Sequence, residues 1–199
     1  MHYSYLALGD SYTIGEAVLL AESFPYQTIQ LLRSKKVKMY APEIIAKTGF
    51  TTDELDDAIT KITFLEKYDF VSLLIGVNNQ YRERNINEFK NEFEGLLKKA
   101  IHFADNKCQH VFVLSIPNWG ATPFAKEKDT NKIAAEINAY NEVCKKITFQ
   151  YGCTFLDITT ALKDENNDAE NIAADGLHPS ASEYSRWAEI LADAIFKSI

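Results

Sequence analysis

Short apolar runs alternate along the chain with longer stretches in which apolar residues recur every three or four positions. The short runs predict β-strands, and the longer stretches predict amphipathic helices that bury one face. Such alternation is typical of a parallel sheet that is built from β–α–β units and covered on both faces. The predicted strands are Tyr3–Leu8, Lys38–Ile45, Phe70–Ile75, His110–Ile116 and Thr154–Ile158.

Five helices are predicted between and after these strands. Thr51 and Glu54 have the spacing of a capping box, and Ser23 is a candidate N-cap. Pro42 indicates that the second strand lies at an edge of the sheet. The predicted helices are Phe24–Ser34, a segment from Thr51 to about Ile62, Ile86–Ala104, Ile133–Ile147 and Ser180–Ile199. We therefore expect a single flavodoxin-like, three-layer α/β/α domain over residues 1–199, which binds ligands beyond the carboxyl ends of its five parallel strands.

Composition and charge narrow the possible partners. A chain of 199 residues that is 46% hydrophobic is long enough to bury a core of its own. Its 21 basic and 28 acidic residues give a net charge of −7, which disfavours nucleic acid and anionic membranes as partners. The longest apolar run, Phe70–Val77, is far too short to span a bilayer, so no stable membrane insertion is predicted. Oligomeric state stays open.

The start of the chain and its cysteines bear on localisation. A first strand that begins at Tyr3 leaves no room for a signal peptide, so we expect the chain as given to be cytoplasmic. An exported gene product whose signal peptide has been removed stays open as an alternative. Cys108, Cys144 and Cys153 are odd in number and lack C-x-x-C spacing, which predicts buried, reduced thiols.

Ser11 follows the first predicted strand, in the segment Gly9-Asp10-Ser11-Tyr12. A serine at a strand end is well placed to act as a nucleophile, but its hydroxyl is inert unless a base lies within hydrogen-bond reach. Taken alone, Ser11 fits a turn or a helix cap equally well.

His178 is the candidate base among the histidines. It lies in the segment Asp175-Gly176-Leu177-His178-Pro179, between the last strand and the last helix, at the same sheet edge as Ser11. Asp175 precedes it by three residues, a separation that lets a carboxylate meet the imidazole Nδ1–H in a turn. An ordinary Asp-Gly turn before a helix explains these neighbours but does not call for a histidine. The other histidines, which we interpret as structural or solvated, are His2, His102 and His110.

Two further loops at this edge offer hydrogen-bond donors. Gly49 follows the second strand, where the lack of a side chain permits close approach of the backbone N–H. Asn78 follows the third strand, and its amide donates without carrying charge. Each residue alone also fits an ordinary loop. Together with Ser11 and His178 they lie in the loops after strands one, two, three and five.

The four segments, in this order, resemble the four marked blocks of the SGNH hydrolases, also called GDSL-type lipases and acylhydrolases. The resemblance implies a carboxylic ester hydrolase that uses no cofactor or metal and acts on a small-molecule ester. It implies Ser11 as nucleophile, with Asp175 and His178 completing a triad. It also implies an oxyanion hole made by the Ser11 N–H, the Gly49 N–H and the Asn78 side chain.

Two residues depart from the family pattern. Tyr12 stands where the first block usually ends in Leu, which affects the shape of the pocket beside the nucleophile. Asn79 stands where the third block usually has Asp, which affects how that loop is braced.

The segment Pro117–Phe124 is aromatic and rich in turn residues, and it predicts the rim of an acyl or alcohol pocket. We therefore expect Tyr12, Trp119 and Phe124 to contact the substrate. No long insertion is present to build a lid or lipid tunnel, which favours small or short-chain esters. Carbohydrate acetyl esters, lysophospholipids and thioesters all stay open as substrates.

A flavodoxin-like protein that binds FMN or another phosphate ligand is the alternative function. The residues at positions 11–15, Ser-Tyr-Thr-Ile-Gly, offer a hydroxyl-rich loop for it, but a carrier of this kind does not require Asp175 and His178. Thr13 rules out the G-x-S-x-G elbow of α/β-hydrolases. The sequence also has no H-E-x-x-H, G-x-G-x-x-G or Walker motif, so nothing favours a metal or nucleotide enzyme.

Glycoside cleavage is a further alternative, because Asp10 could pair with an acidic residue of the Thr51–Glu54 segment. Helix capping explains Asp53 and Glu54 more simply.

Overall fold

The computed structural model describes residues 2–159 and 169–199. In this part of the chain, five strands alternate with helices. The strands are β1 (Tyr5–Gly9), β2 (Glu43–Ala46), β3 (Phe70–Leu74), β4 (Val111–Leu114) and β5 (Thr154–Leu156). The α-helices are α1 (Ser11–Ile14), α2 (Phe24–Ser34), α3 (Thr52–Thr60), α4 (Val77–Tyr81), α5 (Ile86–Phe103), α6 (Thr130–Gln150) and α7 (Ala181–Ser198). Among these helices, none is long and apolar enough to cross a membrane.

All five strands are parallel and form one sheet in the order β2-β1-β3-β4-β5. Leu6 of β1 pairs with Glu43 of β2 on one side and with Val71 of β3 on the other. The chain therefore moves one way across the sheet after β1 and the opposite way after β2. This reversal creates a switch point at the carboxyl end of β1, where open sheets of this type bind ligands. The predicted flavodoxin-like α/β fold is confirmed.

Helices cover both faces of the sheet. Because β–α–β crossovers are right-handed, the reversal in direction puts α2 on one face and α3, α5 and α6 on the other. α7 packs along α2 and completes the first layer, whereas α5 packs against α3 and α6 in the second. This arrangement gives the three layers that the alternating pattern predicted.

The core is centred on β1, β3 and β4, in which every residue is buried. Between α2 and α7, the rings of Phe24 and Tyr184 pack against Trp187 at centroid distances of 6.3 and 5.2 Å. The Trp187 indole N–H donates to Glu183 Oε1 at 2.7 Å, so its polar atom is satisfied inside the core. These contacts hold α7, and therefore the loop that precedes it, against the sheet.

Several predicted element boundaries are wrong. β2 begins at Glu43 and not at Lys38, because Pro42 has no N–H to donate and leaves a single bridge between Tyr3 and Met39 upstream. The predicted start of β4 at His110 falls in a 3₁₀ turn, and β5 ends at Leu156. α3 ends at Thr60, two residues before the predicted end.

Local caps explain other differences. α6 begins at Thr130 because the Asp129 carboxylate accepts the Lys132 N–H at 2.9 Å. Ser23 lies at the N-cap of α2, but its hydroxyl donates to the Leu20 carbonyl and makes no cap bond. The predicted capping box is confirmed, because the Thr51 N–H donates to the Glu54 side chain at Oε2 over 2.9 Å. All three cysteines are free, and Cys108 is only partly buried.

Candidate active site

Ser11 is the first residue of α1 and directly follows the tight turn at the end of β1. At Gly9, a Cβ atom would lie 2.1 Å from Thr13 Oγ1 and 2.4 Å from the Leu74 carbonyl oxygen, so this close turn requires glycine. Asp10 caps α1, because its Oδ1 accepts the Tyr12 N–H at 3.1 Å. Ser11 is 5% exposed and faces a cavity at the carboxyl edge of the sheet.

His178 reaches Ser11 across the switch point. Its Nε2 lies 3.0 Å from Ser11 Oγ, and its Nδ1 lies 2.5 Å from Asp175 Oδ2. The other carboxylate oxygen of Asp175 accepts the backbone N–H groups of Leu177 and His178 at 2.9 and 3.0 Å. These bonds close a turn in which Gly176 has a φ of +72°, a value that favours glycine. The structure therefore brings the three predicted triad residues into one hydrogen-bonded line.

The charge of Asp175 fixes the orientation of the imidazole. Partial burial opposes this charge, but hydrogen bonds from the His178 ring and from the Leu177 and His178 N–H groups outweigh it, and the pKa of Asp175 falls below its ordinary value. An ionised Asp175 accepts a hydrogen bond from the Nδ1–H of His178. This leaves Nε2 without a proton, so Nε2 can accept a hydrogen bond from the Ser11 hydroxyl. The Tyr12 ring packs edge-on against the imidazole at 5.5 Å and limits its rotation.

Gly49 and Asn78 come together at the next part of this edge. Gly49 lies in a turn that is closed by the Phe50 N–H donating to the Lys47 carbonyl at 3.1 Å, and its φ is +85°. One amide N–H of Asn78 donates to the Phe50 carbonyl at 3.0 Å. An asparagine amide has two such hydrogens, so the second stays available to a ligand in the cavity that Asn78 lines with Ser11. Asn78 therefore contacts the residue after Gly49, and Gly49 itself does not line this cavity.

The cavity has a volume of about 200 Å³ and is mostly apolar. The predicted substrate-contact residues Tyr12, Trp119 and Phe124 all line it, together with three residues that the sequence did not suggest, Val77, Tyr81 and Leu177. Tyr81 and Val77 lie on α4 beside Asn78, so prediction of that short helix would have indicated them. Trp119 is held by a hydrogen bond from its indole N–H to Gln80 Oε1 at 2.7 Å.

A family model of the GDSL-like lipase/acylhydrolase family matches residues 7–186. The chain belongs to this family. The protein is therefore a carboxylic ester hydrolase, and the resemblance seen in the four sequence blocks is confirmed. A search of curated proteins finds no significant match.

Solved structures with the same fold include an acetylxylan esterase, Axe2, from Geobacillus stearothermophilus. It is 17% identical, with a TM-score of 0.77, and the match covers 97% of this chain and 94% of the other. TesA is 16% identical, with a TM-score of 0.76 and coverage of 98% and 99%. A lipase/acylhydrolase from Enterococcus faecalis is 19% identical, with a TM-score of 0.74 and coverage of 97% and 95%.

The departure at Asn79 has a structural explanation. Asn79 is fully buried, its Oδ1 accepts the Thr52 N–H at 3.1 Å, and its Nδ2 donates to Thr52 Oγ1 at 2.6 Å. The Thr52 hydroxyl in turn donates to the carboxylate of Glu92. An amide can accept and donate at once, whereas an ionised Asp here could not donate and would face Glu92 across the same hydroxyl. Asn79 therefore braces α4 against the start of α3.

The hydroxyl-rich loop does not have the form that the flavodoxin-like alternative requires. The N–H of Tyr12 already donates to the Asp10 carboxylate, and residues 11–14 form a short helix that continues from that cap. The Asp10 carboxyl group therefore already occupies a donor that a bound phosphate would need. No cluster of His, Cys, Asp and Glu among the described residues has the form of a metal site.

Asp10 is buried completely beside Ser11. Its Oδ2 has no hydrogen-bond partner among the described residues, and burial raises the pKa of Asp10 to about 7 despite the bond from the Tyr12 N–H. The folded protein therefore holds Asp10 protonated at pH values where the unfolded chain has already ionised it.

We expect Asp10→Asn to gain stability relative to the wild type as pH rises. Well below pH 4 the wild-type carboxyl is neutral in both states. Between about pH 4 and pH 7 the unfolded chain ionises first, so the wild-type free energy of unfolding falls relative to that of the variant by up to about 4 kcal/mol. Urea unfolding of both proteins from pH 4 to pH 8 measures this difference.

Asp57→Asn is the matched control, because the Asp57 side chain is 63% exposed on α3 and no comparable gain is expected there. Parallel pH profiles for wild type and Asp10→Asn would contradict the raised pKa of Asp10.

Proposed function

We propose that the protein hydrolyses carboxylic esters through a covalent acyl-enzyme on Ser11. The observation that carries this proposal is the unbroken line from Asp175 Oδ2 through both nitrogens of His178 to Ser11 Oγ, with spacings of 2.5 and 3.0 Å. The 3.0 Å spacing lies within the range required for a nucleophile and its general base, and the 2.5 Å spacing is a short hydrogen bond to the group that orients the base.

In the proposed reaction, Ser11 Oγ attacks the ester carbonyl carbon while His178 Nε2 takes the hydroxyl proton. Collapse of the tetrahedral intermediate breaks the bond to the alcohol oxygen, which receives that proton from His178. A water molecule then repeats the sequence on the acyl-enzyme, releasing the carboxylic acid and restoring Ser11. Asp175 stays ionised throughout and stabilises the imidazolium. The chemistry needs no cofactor or metal.

The oxyanion of the intermediate is proposed to accept from the Ser11 N–H, the Gly49 N–H and the Asn78 amide. Two features support this assignment. The second amide hydrogen of Asn78 is not used by Phe50, and neither backbone N–H has an acceptor among the described residues. Donors of this kind act most strongly when they are held in place before the charge develops.

The cavity favours a small acyl group. Its volume of about 200 Å³ and its aromatic lining by Tyr12, Trp119 and Phe124 suit a short hydrocarbon chain. Tyr81 is half-exposed and also lines a neighbouring polar groove with Glu83 and Lys132, which suits a polar alcohol portion. A short-chain ester of a polar alcohol, such as the acetylated carbohydrate that the name of the acetylxylan esterase implies, is therefore the proposed substrate class.

A fluorophosphonate probe is expected to label Ser11, because only an activated serine attacks phosphorus at neutral pH. Ser11→Ala should lose labelling and at least about 10⁴-fold in kcat toward 4-nitrophenyl acetate. Mass spectrometry of the labelled peptide and initial-rate kinetics measure the two effects. Ser34→Ala, at an exposed serine of α2, should retain both properties. Labelling at another residue, or full turnover by folded Ser11→Ala, would rule out the proposal.

Asp175 and His178 are expected to act as one unit. Asp175→Asn presents an amide that donates to Nδ1 and favours the wrong tautomer, so kcat should fall by up to about 10⁴-fold. The double variant Asp175→Asn/His178→Ala should be scarcely slower than His178→Ala, because orientation is irrelevant once the base is gone. A complete kinetic cycle measures this coupling, and multiplicative losses would show that Asp175 acts independently of His178.

The acyl specificity should reflect the size of the cavity. Each methylene that enters it should raise kcat/KM by up to about fourfold, equivalent to roughly 0.8 kcal/mol. Carbons beyond the cavity should add nothing. A series of 4-nitrophenyl esters from acetyl to dodecanoyl measures this limit, and we expect the gain to stop before octanoyl. Phe124→Ala should slow the butyryl ester more than the acetyl ester. A rise that continues to dodecanoyl would instead indicate a long-chain lipase.

A further inference from the structure

Arg82 links the Gly49 turn to two neighbouring helices. It directly follows α4, and its Nη2 donates to the Gly49 carbonyl at 2.7 Å. Its Nη1 lies 3.2 and 3.3 Å from the two carboxylate oxygens of Glu54 in the first turn of α3. Asn78, one helical turn earlier, donates to the Phe50 carbonyl. Two successive carbonyls of the turn therefore accept from two side chains that are four residues apart.

The first three residues of the turn have little packing. Lys47 and Thr48 are exposed, although the Thr48 hydroxyl donates to the Glu16 carboxylate, and Gly49 has no side chain to bury. Phe50, the fourth residue, is partly buried against the core. Because Gly49 has a φ of +85° and Thr48 is not among the residues with positive φ, the turn is of type II. The type I alternative differs mainly by rotation of the peptide group that carries the Gly49 N–H. Glycine accepts either sign of φ, so Gly49 alone does not select the orientation of that N–H.

We propose that Arg82 is a positioning residue for the oxyanion hole. It holds the Gly49 turn against α4, so that the Gly49 N–H and the Asn78 amide are aimed at the same oxygen atom. This inference rests on the proposed function. A planar guanidinium is suited to the task because one N–H reaches the carbonyl while another reaches the Glu54 carboxylate, whereas a lysine ammonium is a single point of charge.

The effect of Arg82 on catalysis can be separated from its effect on stability. The Arg82 and Glu54 side chains are 41% and 40% exposed, and ion pairs at such sites contribute little to the free energy of unfolding. Arg84 provides a matched control, because it pairs with Asp53 at 2.6 Å in the same turn of α3 and its side chain is 31% exposed. No described hydrogen bond joins Arg84 to the Gly49 turn.

The experiment compares Arg82→Ala, Arg82→Lys, Arg84→Ala and Asn78→Ala, with active sites counted by fluorophosphonate titration. Arg82→Ala is expected to lower kcat by roughly 10- to 100-fold with little change in KM, because a displaced donor weakens binding of the transition state alone. Asn78→Ala removes one donor completely and is expected to lower kcat by about 10²–10³-fold, which provides the reference for the other variants. Arg84→Ala should stay within about twofold of wild type, and Arg82→Lys should fall between the two arginine variants.

A trifluoromethyl ketone inhibitor supplies the second readout, because its adduct with a serine carries an oxyanion. Its inhibition constant should rise in Arg82→Ala by the same factor by which kcat/KM falls. Equal kinetics for Arg82→Ala and Arg84→Ala, or a rise in KM with kcat unchanged, would overturn the inference. Full activity of Arg82→Lys would also overturn it, and this variant decides the matter if Arg82→Ala does not fold.

The two proposals fail in different ways. If the wild type is labelled at Ser11 but Arg82→Ala turns over normally, the positioning role of Arg82 is wrong and the proposed function stands. If the wild type is not labelled at Ser11, both proposals are overturned.

Discussion

The hydrogen bond between His178 and Ser11 joins side chains that are 167 positions apart in the sequence, and the candidate site depends on it. A single hydrogen bond contributes only about 0.5–1.5 kcal/mol, which is too little to hold two ends of a chain together. The apolar packing of α7 against α2 supplies the restraint. The ring centroid of Trp187 lies 6.3 Å from that of Phe24 and 6.0 Å from that of Tyr12. The packing therefore fixes α7, which follows His178, against Tyr12, which follows Ser11. The core packing of α7 therefore determines the geometry of the candidate site.

Two aspartates near Ser11 show how local donors decide the protonation state of a carboxyl group. Asp175 is partly exposed and accepts from the His178 ring and two backbone N–H groups, which lower its pKa. Asp10 is buried completely and has a free Oδ2 among the described residues, and its pKa is raised to about 7. The environments push the two pKa values apart, so ionised Asp175 can orient an imidazole, whereas Asp10, whose pKa is raised to about 7, serves as a structural cap.

The sequence predicted the parallel sheet and the loops that carry Ser11 and His178, because hydrophobic periodicity and strand direction are local properties that the chain displays directly. It did not predict α1 and α4, since helices of four and five residues are too short to show a period. The sequence also did not predict the hydrogen-bond partners of Asn79. Thr52 and Glu92 lie 27 and 13 positions away, and only the packing of α3 against α5 brings them to one point.

Arg82 illustrates the same limit at the surface. Nothing in the segment Tyr81–Arg84 distinguishes one arginine from the other, because the sequence spacing to α3 is nearly identical for both. The difference lies in the path of the Gly49 turn, which passes the Arg82 guanidinium at 2.7 Å. A glycine turn that two exposed residues precede shows little side-chain pattern, so the contacts that fix it are visible only in three dimensions.

The small cavity also determines where catalytic power must come from. A volume of about 200 Å³ admits few methylene groups, and each contributes only about 0.8 kcal/mol of binding. Tyr81 and Phe124 at its rim are 50% and 45% exposed, so they bury only part of a ligand. Ground-state binding is therefore expected to be weak, and the proposed mechanism depends most on interactions that strengthen as the oxyanion forms. In that mechanism the orientation of a few donors at the sheet edge contributes more to the rate than the affinity of the pocket for its substrate.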